Sequence, residues 1–183
     1  IGENITLRRS AKLKVENGAI ANYVHAKVDG SDNLGRIAVL VALDSAGDKA
    51  ALESFGKKVA MHIASASPLA LSETEIPADR VEREKTVLLE QIKEDPKAQG
   101  KPQQVLDKML EGRMRKFFEE SVLTKQAFVL NPDQSVEAAL KDAEKAAGAP
   151  IKLPGFVRFA VGEGVEKRQD DFAAEVASMT KKD

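Results

Sequence analysis

The stretch Gly155-Phe156-Val157-Arg158-Phe159-Ala160-Val161-Gly162 constrains the fold more than any other part of the chain. Val157, Phe159 and Val161 fall two apart. In extended backbone they share one face while Arg158 and Ala160 point to the other, the pattern of a half-buried strand. A strand needs neighbours. The residues able to supply them, the alternating run 20–28 and the apolar run 37–43, lie more than a hundred residues earlier, so everything between is an excursion that has to return.

The two early runs read as a hairpin. Ile20, Val24, Ala26 and Val28 form one alternate set and Ala21, Tyr23, His25 and Lys27 the other, with Tyr23, His25 and Lys27 predicted to face outward together. Residues 29–35 carry the Asp, Gly, Ser and Asn of a loop. Beyond the break at 44–48, Phe55, Val59, Ile63 and Ala66 recur at three and four residues and predict a helix with one buried stripe that stops before Pro68. From 79–94 and again from 103–120 the chain is dense in balanced charge, with apolar residues at helical spacing. The linker 95–102, with two prolines and a glycine, keeps the two helices apart. An antiparallel helical hairpin projecting from the body is expected, its charged face solvated or, alternatively, a surface for docking or self-association. Ser135 is placed to cap a helix through Val136, Ala139 and Leu140 that ends near Gly148, and Asp170 to cap a last helix with Phe172, Val176 and Met179 along one face. Residues 6–13 either end a helix begun upstream or form an edge segment. The fold class is α+β: a small antiparallel sheet, made of the hairpin near 19–43 and the closing strand near 155–166, packed with helices.

Several chemistries find no support in these residues. A net charge of −1 offers no basic excess for nucleic acid, and with one Tyr and no Trp there are few stacking platforms for bases. Without Cys there are no disulfides, thiolate nucleophiles or Cys-based zinc sites. No apolar run approaches the roughly 18 residues that span a bilayer. The chain begins at Ile1 rather than Met, which points to a processed or truncated N-terminus. Gly162 and Gly164 lack the third glycine of a dinucleotide fingerprint, Lys57 is not followed by Ser or Thr, and no G-x-S-x-G elbow occurs. His25 and His62 have no paired ligand at helical spacing. His62, beside Ile63 on the predicted stripe, is expected to be structural. His25, outside next to Tyr23, is left open between an incidental and a functional role. No catalytic, metal or cofactor constellation emerges, and the residues alone describe an α+β domain with a helical arm that binds protein.

Several blocks then stand in a familiar order. They are Ile1-Gly2-Glu3-Asn4-Ile5 with Arg8-Arg9, Tyr23-Val24-His25, Val59-Ala60-Met61-His62-Ile63-Ala64, and Glu111-Gly112-Arg113-Met114 with Lys116-Phe117. Phe128-Val129, the closing strand through Glu163-Gly164-Val165-Glu166-Lys167, and Asp171-Phe172-Ala173-Ala174-Glu175-Val176-Ala177 complete the series. Together they resemble bacterial translation elongation factor Ts over essentially the whole chain. The family's N-terminal ubiquitin-associated-like module and its T-D-F-V-A-K-N run are absent from this sequence, so the resemblance is to roughly the C-terminal two-thirds.

The resemblance implies a cytoplasmic guanine nucleotide exchange factor for elongation factor Tu, with no enzyme activity, no cofactor, no direct contact to nucleic acid and no membrane. It implies that Ile1 and Gly2 contact the nucleotide-binding domain of that GTPase. His25 and the Phe128-Val129-Leu130 segment fall where the family grips the GTPase's third domain, and Phe172, Val176 and Met179 where a C-terminal module packs on a helix of the nucleotide-binding domain. Without the run whose phenylalanine enters the GTPase, binding with weak exchange is expected. The alternative is a self-association protein that dimerises through the helical arm. The implied division is 1–18, the end of an N-terminal core subdomain; 19–76 and 121–167, the two parts of a C-terminal core subdomain; 77–120, the arm; and 168–183, the C-terminal module.

Overall fold

A computed structural model describes residues 7–164 of the chain; Ile1 and Gly2, and the predicted closing helix with Phe172, Val176 and Met179, lie outside the described residues. Strand β1 (Gly18–Lys27) turns back into β2 (Gly35–Asp44), and β2 pairs on its other side with β5 (Lys152–Ala160). The order β1-β2-β5 is antiparallel throughout, with Tyr23 opposite Val39 and Val39 opposite Arg158. The closing strand therefore does return to the early hairpin. It starts before position 155 and ends at Ala160, and Val161 lies outside it, 76% exposed.

Helix α1 (Lys49–Ala66) starts where Asp48 Oδ1 accepts the Ala51 N–H at 2.8 Å and stops at Ser67, whose left-handed backbone (φ 49°) precedes Pro68. Its buried side chains Leu52, Phe55, Val59 and Ile63 lie on Val39, Val41 and Leu43 of β2 and on Ala19 of β1. Each fully buried Leu, Ile or Val contributes about 1.5–3 kcal/mol relative to exposure, and this contact is the main core. Gly56 sets its spacing: a Cβ there would sit 2.5 Å from Leu43 Cδ1 and 2.6 Å from the Cβ of Ala21.

That close approach reverses the predicted facing of β1. Ala19 and Ala21 are buried and Tyr23 packs against the core, whereas Ile20 is 38% exposed. A helix carried this near the strand leaves room for alanines, so available volume rather than hydrophobicity decides which face turns inward. In β5, residues 155–160 are half-buried on both faces. Phe156 packs on the core, while Val157 and Phe159 pair with Leu40 and Ala38 on the opposite face. There the irregular segment ahead of β1 partly covers the sheet. The Arg9 guanidinium lies 4.7 Å from the Phe159 ring centroid, and Arg9 and Arg158 both pair with Glu163.

Helices α2 (Ala78–Glu94) and α3 (Gln103–Ser121) contact each other, and Arg113 reaches back to Asp95 at 3.0 Å. Ala70 bridges Val122, and the Leu123 N–H donates to the Ala70 carbonyl at 2.9 Å, joining the segment after α3 to the segment before α2. A short hairpin follows, β3 (Ala127–Phe128) against β4 (Asn131–Ser135). Ser135 then caps α4 (Val136–Ala147) through its Oγ, which accepts the Ala138 N–H at 3.2 Å. Gly148 closes the helix at φ 75°, a conformation that glycine adopts without strain.

Candidate functional site

Four elements converge on one cleft of about 260 Å³. The far end of β1 supplies Tyr23 and His25, β2 supplies Ile37, the C-terminal part of α1 supplies Met61, Ala64 and Ser65, and the β3–β4 turn supplies Val129 and Leu130. The lining is mostly apolar. Val129 and Leu130 stand 43% and 50% exposed, large hydrophobic side chains held at the surface by a tight turn. His25 is exposed, and its Nδ1 lies 3.2 Å from the Tyr23 hydroxyl, with the two rings 6.1 Å apart. Among the described residues the other ring nitrogen of His25, Nε2, has no partner in the chain.

Phe128 does not belong to this surface. It is 5% exposed and lies with its ring 5.7 Å from that of His62, so the expected trio of Phe128, Val129 and Leu130 divides at the strand end. Phe128 turns into the core, and the two residues after it turn out. His62 is buried to 1% exposure and bonded at both nitrogens, to Gln126 Oε1 at 2.8 Å and to the Val129 N–H at 3.2 Å. Burial pushes its imidazole below the ordinary histidine range, opposed by the weaker effect of the Gln126 hydrogen bond. The structural role expected for His62 is what the geometry gives.

Met61 and Ala64 belong to a block that carries the resemblance but receive no contact role from it, and Ser65 lies just outside that block, although helical spacing puts the three together on the face beside the buried stripe. Ile37, opposite His25 in the strand register, opens the apolar run 37–43, whose pattern predicts a strand and not a place in the site. No group of three His, Cys, Asp or Glu side chains suited to a metal occurs among the described residues. The chemistry on offer is a shallow apolar seat with an imidazole at its edge, suited to receiving side chains of another folded protein.

Comparison with known proteins agrees with the order of the sequence blocks. The family profile described as Elongation factor TS matches residues 1–163. The chain is 59% identical to Elongation factor Ts of Bartonella tribocorum over 181 residues, 99% of this chain and 57% of that protein. It is 55% identical to Elongation factor Ts of Bartonella henselae and 54% identical to that of Brucella ovis over the same shares of each chain. The chain thus spans 57% of the length of these curated relatives, somewhat less than the two-thirds that the resemblance suggested.

Proposed function

The chain belongs to the elongation factor Ts family, and from that premise we propose that it binds the GTPase elongation factor Tu and promotes release of GDP during translation elongation. An exchange factor holds the nucleotide-free GTPase more tightly than the GDP-bound one, and reciprocity of linkage then weakens GDP by the same factor. The protein contributes contacts and no covalent chemistry. The observation that carries this reading is the cleft in which His25 and the Val129-Leu130 turn, a hundred residues apart in sequence, line one apolar seat. These are positions at which the resemblance implies a grip on the third domain of the GTPase. With Tyr23 occupying Nδ1, His25 keeps Nε2 for a group on the partner.

Ile1 and Gly2, and Phe172, Val176 and Met179, extend the same proposal to the nucleotide-binding domain. Titration against GDP-bound elongation factor Tu with fluorescent GDP tests it. The chain is expected to bind, and to release GDP more slowly than a chain that also carries the T-D-F-V-A-K-N run. Full-speed release would remove that mechanistic half. His25→Ala and Leu130→Asp are each expected to weaken affinity about tenfold or more, the scale of a central interface contact. Absence of binding in every nucleotide state would overturn the reading.

A second reading, self-association through an arm formed by α2 and α3, draws on Val87 and Val105, which are 45% and 37% exposed there. Sedimentation of the chain with and without residues 79–120 decides it, since an unchanged monomer mass would take the arm out of assembly.

A further inference from the structure

The Val129-Leu130 lip has little to hold it from within. The β3–β4 ladder pairs only Ala127 with Ser135 and Phe128 with Asn131, with a register shift between, and two short strands have marginal stability alone. An external anchor is present. The Val129 N–H donates to His62 Nδ1 at 3.2 Å, and His62 Nε2 meets Gln126 Oε1 at 2.8 Å. Gln126 Nε2 donates to the carbonyls of Glu120 at 2.6 Å and Ala66 at 3.5 Å. The ends of this relay fix its direction. A backbone N–H only donates and a carbonyl only accepts, so Nδ1 must be the bare nitrogen, Nε2 must carry the proton, and the Gln126 amide has one orientation. The accepting carbonyls lie in the final turns of α1 and α3, where helix carbonyls lack partners of their own. The lip is thereby tied to the points where both helices end.

We propose that His62 is a positioning residue for the partner-binding cleft, holding the Val129 backbone through Nδ1 so that Val129 and Leu130 face His25 across the seat. The assignment rests on the reading of that cleft as the grip on elongation factor Tu. A side chain that only filled space would do better without nitrogen atoms: leucine at this position leaves both the Val129 N–H and Gln126 Oε1 without a partner.

Two substitutions separate positioning from packing. His62→Asn offers an oxygen near the place of Nδ1, whereas His62→Gln offers its amide near Nε2 and fills more of the space. Calorimetric titration of the 183-residue chain with nucleotide-free elongation factor Tu is expected to keep His62→Asn within about threefold of the unaltered chain and to weaken His62→Gln about tenfold. A packing role predicts the reverse order, and His62→Gln binding as tightly as His62→Asn overturns the assignment. Exchange of the Val129 amide with solvent should quicken about tenfold in His62→Gln and stay slow in His62→Asn. Equal rates in both overturn it as well. The unaltered chain gives a check that does not depend on the variants folding: nitrogen resonances of His62 should show a neutral ring with bare Nδ1, and a protonated Nδ1 refutes the relay. Should the unaltered chain fail to bind the GTPase, the reading of the cleft falls. The amide and ring measurements still decide whether His62 holds Val129.

Discussion

Helix α1 and the pair α2 and α3 share the same helical spacing of apolar residues, yet they are held in different ways. Of the 18 residues of α1, eight are buried, from Leu52 to Ala64, whereas α2 buries only Ile92 and α3 only Ser121. The pair shares a small cluster in which Val81, Phe117 and Phe118 pack on Ala70, Ile76 and Val122, together with the half-buried Arg113–Asp95 pair and exposed ion pairs such as Arg83 with Asp79. Exposed pairs of this kind contribute about 0–1 kcal/mol each. A matching period therefore does not imply matching stability. What differs is whether a second apolar surface is waiting, and only α1 has the sheet beneath it.

The sharpest way to break the comparison is to delete buried volume. Ile63→Ala should lower the free energy of unfolding by about 2–5 kcal/mol in a denaturant titration, while Val87→Ala on α2, 45% exposed, should change it by less than about 0.5 kcal/mol. Comparable losses would mean that the pair carries as much of the fold as the core. A glycine in each region gives opposite signs. Gly56→Ala drives a methyl group against Ala21 and Leu43 and should cost about 1–3 kcal/mol despite the better helix propensity of alanine. Gly112→Ala on α3, with nothing within 4 Å of its added Cβ, should stabilise by about 0.5–1 kcal/mol.

The smallest effect is a pH response, read by thermal unfolding. His62 has its native pKa lowered from 6.5, so the unfolded chain binds the proton first. The contribution of the neutral ring is complete above about pH 6.5 and is lost as pH falls toward the native value. Between pH 7 and pH 6 the loss stays under about 1 kcal/mol, the limit set by protonating one imidazole in the unfolded chain. His62→Asn should flatten this slope.

Much of the fold was legible because local signals agreed with tertiary ones. The Asp and Gly loop before β2, the stripe of α1 ending before Pro68, and Ser135 and Gly148 at the ends of α4 all appear where spacing and capping put them. The inward face of β1 was not legible, because Gly56 brings α1 so near that alanines win the inner positions over Ile20. Nor was β4, whose Asn-Pro-Asp-Gln-Ser has no strand pattern and is positioned by pairing with Ala127 and Phe128 of β3. At the site, His25, Val129 and Leu130 stood out by resemblance. The bond from His62 to Gln126 joins residues 64 positions apart, a distance over which periodicity carries no information.

The pairing of β2 with β5 also governs the order in which a newly made molecule can mature. Lys152 is the partner of Asp44, so while the ribosome adds the intervening hundred or so residues, on the order of ten seconds at ordinary synthesis rates, one side of the central strand presents unmatched amides and carbonyls. In the folded chain β1 covers the other side. Nascent chains that stall short of position 152 would carry this adhesive border permanently, whereas completed ones seal it with their own last described strand.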